Sequence, residues 1–249
     1  MDGGGRFLEI DMARGLAIVM MVTFHTLYDL NFFHIVSINV YYGFWRYFAF
    51  TTATLFLLVV GISLSISHGR AARSLSGFIL AKKFLLRGVG IFCCGLLVTL
   101  VTALFLREGY VCFGILHLIG VSVMLSPFFF RFKKWNAVIG LVIIVIGWFL
   151  SIHTGPVWLL PFGIHPATFW SVDYTPLFPW FGVVLIGISV GEFLYPECER
   201  SFSLPAMPAM IRAPLAFMGQ HSLILYLIHQ PVIILLLVAL TGKTLMGFF

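Results

Sequence analysis

The sequence predicts an all-α polytopic membrane protein: one transmembrane domain over 1–249, built as a bundle of about seven membrane-crossing helices with a membrane-associated outer loop at 153–175. Three observations predict it. Of 249 residues, 61% are hydrophobic and 10% charged, whereas a soluble domain carries about 25% charged residues; mean hydropathy is +1.06. Apolar runs close to the ~20 residues needed to cross ~30 Å of hydrocarbon recur along the whole chain. Strict two-residue alternation is absent, which excludes a transmembrane β-barrel.

Taken in order, the runs are 12–33, 42–66, 84–106, 109–130, 136–152, 176–195 and 213–240. The first is not a signal peptide: Glu9 and Asp11 stand beside Arg6, the apolar stretch is too long, and no small-residue cleavage site follows. The third carries Cys93 and Cys94; with Cys112 and Cys198 they show neither metal nor disulfide spacing and read as packing residues. The fifth is short for a span, and the sixth begins with Pro176 and Pro179. The segment 153–175 between them has no Lys or Arg and reads GPVWLLPFGIHP in its centre, an apolar loop suited to folding onto the bundle.

Charge placement sets the expected orientation. With seven spans and the N-terminus inside, twelve of the fifteen Lys and Arg residues collect on the inner side, leaving Arg46, Arg107 and Lys243 outside. The reading is therefore a multi-pass cell-membrane protein with a cytoplasmic N-terminus and an outer C-terminus. The net charge of +6 reports this topology and not a nucleic-acid partner.

Against that background the stretch ARGLAIVMMVTFHTLYD (13–29) stands out. Ionised side chains at the bilayer centre cost about 2.5–3.5 kcal/mol each on insertion scales. At about 1.5 Å of rise per residue, His25 lies about 20 Å from the inner start of its span. His117 lies about 12 Å from the outer start of the fourth, a similar depth. Arg14 and His25, eleven residues apart, share one helical face about 16 Å apart along the axis, and Asp11 falls on it too. Asp29 stands at i+4 from His25, within reach of its ring; such a carboxylate fixes the tautomer and stabilises the imidazolium. The line fits a long ligand with an anionic head at the inner surface and a reactive end deep in the bundle, as in an acyl-coenzyme A. His25 and Asp29 are thus the candidate catalytic pair. Arg14, Arg87, His117, Ser222 and His229 are assigned to the acyl-CoA, and His34, Asp173 and Tyr174 to the acceptor side; no metal site is expected. Plainer roles compete: a topology anchor for Arg14, an interfacial residue for His34, interhelical hydrogen bonding for His117 and His229.

The same residues carry a resemblance. EIDMARGLAIVMMVTFHTLYDLNFF resembles the first span of bacterial and archaeal membrane proteins similar to the catalytic domain of heparan-α-glucosaminide N-acetyltransferase, within a wider group of transmembrane acyltransferases with an Arg-x10-His element, here Arg14 to His25. The likeness continues through LFLLVVGISLSIS (55–67), GYVCFGILHLIGVSVML (109–125), VDYTPLFPWFGVVLIGISVGEFLYP (172–196) and FMGQHSLILYLIHQP (217–231). It implies an acyl donor, usually acetyl-CoA, used from the cytosolic side, and an acceptor hydroxyl or amine, often of a glycan, reached from the opposite side. The pattern departs at His25: in the heparan enzyme the catalytic histidine comes later, near the place of His34, which is the second candidate. The bilayer, the acyl-CoA, a glycan or other small acceptor and a possible second copy of the chain are the expected partners. Two other classes stay open: a proton-coupled small-molecule transporter using the His/Asp line, and a haem protein using His25, His117 and His229.

Overall fold

The computed structural model describes residues 6–106, 108–205 and 207–242. Arg107, Lys243 and the C-terminal end, on which part of the expected topology rests, lie outside the described residues. The described chain is all-helical in its regular structure: α1 (Leu8–Phe32), α2 (Gly43–Ala72), α3 (Gly77–Phe105), α4 (Ile115–Phe129), α5 (Asn136–Leu150), α6 (Leu177–Leu194), α7 (Ala209–Gln220) and α8 (Ser222–Thr241), with short 3₁₀ turns at Phe130–Trp135, Val157–Phe162 and Pro196–Cys198. Six stretches have the length and hydropathy of a membrane crossing. Exposed leucines run the length of α3, among them Leu85, Leu86, Leu96, Leu97, Leu100 and Leu104. An apolar stripe of that extent calls for hydrocarbon as its solvent.

The expected fourth and fifth spans are α4 and α5, with Lys133 (φ 45, ψ −121) at the break between them. Pro127 already removes one backbone donor near the end of α4, and Asn136 Nδ2 donates to Phe129 O across the break (3.0 Å). The expected last span, 213–240, is two helices: His221 (φ −107, ψ 19) ends α7 and starts α8. Only α8 has the length and hydropathy of a crossing.

The chain forms two compact units, Met1–Phe56 with Pro205–Phe249, and Leu57–Leu204. In the second unit the helices pair through glycines. A Cβ on Gly88 of α3 would lie 2.7 Å from Gly120 O of α4, and one on Gly140 of α5 would lie 2.5 Å from Gly182 O of α6. Small residues permit this close backbone approach where no hydrophobic effect drives helices together. α5 and α6 are antiparallel: Ser189 Oγ donates to Lys134 O at one end (3.0 Å) and Gly147 abuts Pro179 at the other. A bridge between Phe113 and Tyr174 sets the starts of α4 and α6 side by side. α4 and α5 therefore run in opposite directions, with the reversal in 130–135.

The loop 153–175 is folded onto this unit. Tyr174 Oη donates to Leu160 O (2.7 Å), Thr154 bridges His165, and Gly163 takes the left-handed conformation (φ 95) that ends the 3₁₀ turn. The four cysteines are free.

In the first unit α1 is the axis. α7 runs antiparallel to its first half, with Gly219 against Asp11 and Gly15 against Leu215. α8 runs parallel to its second half, with His229 against His25, Gln230 on Asp29, and Ile233 and Leu237 packed with Phe33. The break at His221 is what lets one segment of chain line both halves of α1.

Candidate active site

α1 begins with Glu9 and Asp11 in its first turn, where the helix N-terminus favours negative charge. Asp11 is only 5% exposed. Arg14, one turn on, donates Nη1–H to Asp11 Oδ1 (3.0 Å) and to Gly219 O (3.3 Å). Gly219 is the second-to-last residue of α7, so a cation meets the carbonyl end of that helix, where its dipole is negative. Arg14 is thus first a staple between α1 and α7, and the charge that the sequence assigned to a ligand's head group has a carboxylate beside it. Ser222 opens α8 three residues after Gly219.

Deeper along α1, His25 Nδ1–H donates to Met21 O (2.9 Å). A carbonyl can only accept, so this bond fixes the tautomer and leaves Nε2 as the basic nitrogen. The ring meets His229 edge-to-face, with centroids 4.9 Å apart. His229 repeats the arrangement: its Nδ1–H donates to Tyr226 O, and its buried Nε2 has no hydrogen-bond partner.

Asp29, 3% exposed, accepts with both carboxylate oxygens from Gln230 Nε2 (2.9 and 2.7 Å). Met21 O thus orients the His25 ring, and Asp29 anchors Gln230. Sequence reasoning missed Gln230 because an uncharged amide raises no insertion-cost alarm. Its signal was a polar residue beside His229 in an apolar span, which has to find a partner. These contacts set the expected effects at Asp29. Asp29→Asn keeps a carbonyl acceptor for Gln230 and leaves the His25 tautomer untouched, so turnover should fall by less than about tenfold, the worth of one hydrogen bond. Asp29→Leu leaves the Gln230 amide buried without its acceptor and should cost about 1–3 kcal/mol of stability. Parallel rate and thermal-unfolding measurements on the two variants check both statements.

His34 closes the turn after α1 with positive φ (55); it is exposed, and its backbone N–H returns to Asn31 O (3.0 Å). The remaining candidates belong to the second unit and have structural tasks there. His117, 2% exposed, accepts at Nδ1 from Gly114 N (3.2 Å) and faces Thr99 Oγ1 with Nε2 (3.4 Å), stacked on Phe113. Its two ring nitrogens are thus engaged in capping α4 and joining it to α3. The same engagement removes it as a haem ligand, which needs an unencumbered nitrogen. Direct contact of His25 with His229 leaves no gap for a porphyrin between them.

Asp173 caps α4 as well: Oδ2 accepts from Ile115 N (3.1 Å) and Oδ1 from Thr175 Oγ1 (2.9 Å). Tyr174, bonded to Leu160 O, has its hydroxyl pushed up to about 12 by burial and by nearby Cys112, so it stays a neutral donor at any physiological pH. Arg87 lies exposed on α3, beside the face that buries Phe84 and Gly88.

No curated protein and no solved structure matches the chain. The family model described as "Heparan-alpha-glucosaminide N-acetyltransferase, catalytic" matches residues 6–231. That range takes in α1 with Arg14, His25 and Asp29, the whole second unit, and α8 through His229 and Gln230. The chain belongs to the heparan-α-glucosaminide N-acetyltransferase catalytic-domain family.

Proposed function

We propose that this protein is a membrane-embedded acetyltransferase that moves an acetyl group from cytosolic acetyl-CoA to a hydroxyl or amine, of a glycan in the first instance, presented from the outer side. The observation that carries the reading is His25: a histidine deep in a crossing helix whose Nδ1–H is tied to Met21 O, so that Nε2 faces the reaction as a base. Family membership supports the donor and the reaction class.

In this reading His25 Nε2 takes the proton of the nucleophile as its oxygen or nitrogen attacks the thioester carbon. The carbon–sulfur bond breaks, its electron pair leaves with sulfur, and the proton passes to the thiolate to give coenzyme A. Positioned general-base catalysis of this kind is worth about 10²–10⁴ in rate. His34 stays the second candidate for that role, at the opposite end of α1 from Arg14.

The residues at the other end of α1 suit an anionic head in two respects. Arg14 supplies a fixed guanidinium, held at Gly219 O. Three residues on, α8 presents its N-terminus at Ser222, where aligned backbone dipoles favour phosphate. Asp11 opposes this, and its pairing with Arg14 implies that the head group shares the guanidinium with a carboxylate. With the N-terminus cytoplasmic, as charge placement proposes, this end meets the cytosolic donor.

Donor binding is tested without knowledge of the acceptor. Coenzyme A should raise the unfolding temperature of the purified protein with concentration, because a ligand that prefers the native state adds about 2.7 kcal/mol at a hundredfold excess over its Kd. The rise should shrink in Arg14→Ala and persist in His25→Ala, each compared with its own unliganded midpoint. Equal rises in wild type and Arg14→Ala would remove Arg14 from the donor site. Proton flux across vesicles without acetyl transfer would favour the transporter reading.

A further inference from the structure

Among the described residues, two buried acceptor atoms on consecutive residues of α8, His229 Nε2 and Gln230 Oε1, have no hydrogen-bond partner. Each is an acceptor because its neighbouring donor is engaged. His229 Nδ1–H goes to Tyr226 O, which leaves a lone pair on Nε2. Gln230 Nε2 goes to both oxygens of Asp29, which leaves the amide carbonyl. The adjoining His25 ring is set the same way by Met21 O, and Asp29 itself offers only acceptors. The face shared by α1 and α8 therefore gathers the His229 lone pair, the Gln230 amide carbonyl and the Asp29 carboxylate, while the donors of His229 and Gln230 point to a backbone carbonyl and to Asp29.

Buried acceptors left unmatched cost about 1–3 kcal/mol each, so the cluster is built to receive a group that donates. The thioester itself cannot serve, because its carbonyl oxygen and sulfur only accept; the pantetheine arm behind it does carry amide N–H groups, so the two substrates are told apart by which KM the variants below move. An acceptor amine or a polyhydroxylated acceptor can, because it carries hydrogens beyond the one that the base removes. We propose that His229 Nε2 and Gln230 Oε1 form a subsite for the acceptor, receiving the second N–H of an amine or the hydroxyls that flank the attacking one, while the nucleophile gives its own hydrogen to the His25 base. This rests on the acetyltransferase reading above, and it moves His229 from the donor side, where the sequence had put it, to the acceptor side. Gln230 enters as a positioning residue for substrate, steadied by Asp29. In the reaction the acceptor loses one proton to His25 and gains the acetyl group; His229 and Gln230 hold its remaining donors and exchange nothing.

The test uses the full-length protein with acetyl-CoA as donor and glucosamine or glucose as probes of an amine and a hydroxyl. His229→Phe keeps the aromatic contact with His25 and removes Nε2. It should raise the KM of the probe by about tenfold, the worth of one hydrogen bond, with the KM of acetyl-CoA unchanged. His229→Gln, whose amide oxygen can stand near the place of Nε2, should recover most of the loss. Independently, ¹⁵N-histidine spectra of the wild type should show the His229 Nε2 signal moving on addition of a probe without donor. A rise in the KM of acetyl-CoA alone would return His229 to the donor side and overturn the proposal. An Nε2 signal that neither probe moves would also overturn it, leaving these atoms to a buried water only. Absence of transfer to either probe by the wild type would count against the acetyltransferase reading, and the nitrogen signal would then decide the subsite by itself.

Discussion

His25→Ala is expected to abolish acetyl transfer, with a fall of about 10²–10⁴ in turnover per folded molecule, while the protein folds and binds coenzyme A as before. The separation of the two effects follows from the structure. His25 bonds to a carbonyl of its own helix, Met21 O, and its ring packs edge-on to His229; truncation removes one intrahelical side-chain bond and one aromatic contact, a modest loss for a bundle. Arg14 and the start of α8 are left as they were. His34→Ala, at an exposed turn, should cost little. The contrary pattern, a dead His34→Ala beside an active His25→Ala, would move the base to the end of α1 where the resemblance has its alternative. A His25→Ala protein lost to misfolding, with activity tracking the folded amount, would make His25 a structural residue. Thermal unfolding measured alongside the rate separates these cases.

The second large effect is expected at Gly219. A Cβ there would fall on the backbone of Asp11, with the carbonyl carbon at 2.6 Å and Cα at 2.9 Å. These are main-chain atoms of α1, which cannot swing aside as a flexible side chain can. Gly219→Val should therefore drive α7 off α1, pull Gly219 O away from Arg14 and leave the buried Asp11 carboxylate without a steady cation. A loss of about 2–3 kcal/mol is expected from overpacking alone, and coenzyme A should no longer raise the unfolding temperature. Gly90→Ala on α3 is the control: nothing lies within 4 Å of the added atom, and alanine is the better helix former. Equal stability of the two variants would mean that α1 and α7 do not meet as closely as described.

What the sequence made legible divides along physical lines. Apolar run length reports the crossing helices because the solvent imposes a nearly uniform requirement on them, and α1, α2, α3 and α6 lie close to their expected places. The break at Lys133 falls between two expected runs, where Arg131, Lys133 and Lys134 interrupt the hydropathy, whereas the break at His221 was hidden inside one, where hydropathy has no vocabulary for direction; GQHSL carries only faint turn chemistry. The same limit governs the site. Periodicity places Asp11, Arg14, His25 and Asp29 on one face of α1, and three of these four make polar contacts to α7 or α8 or to each other. It cannot name partners on another helix. Asp29 within reach of His25 is a statement about one helix alone, and Gln230, two hundred and one residues away in sequence, wins the carboxylate. The local partners of His117 were out of reach for a related reason: a histidine at depth looks costly, and the Gly114 amide and Thr99 hydroxyl that satisfy it are not named by periodicity.

The most direct measurement is transfer itself. The purified full-length protein in lipid vesicles is incubated with acetyl-CoA labelled in the acetyl group, together with glycans and lipids extracted from a membrane. The account predicts label in a covalent acetyl product and an equal amount of free coenzyme A, from wild type but not from His25→Ala. Acetyl-CoA left intact by a folded wild-type protein that binds it, across amine and hydroxyl acceptors alike, would contradict it.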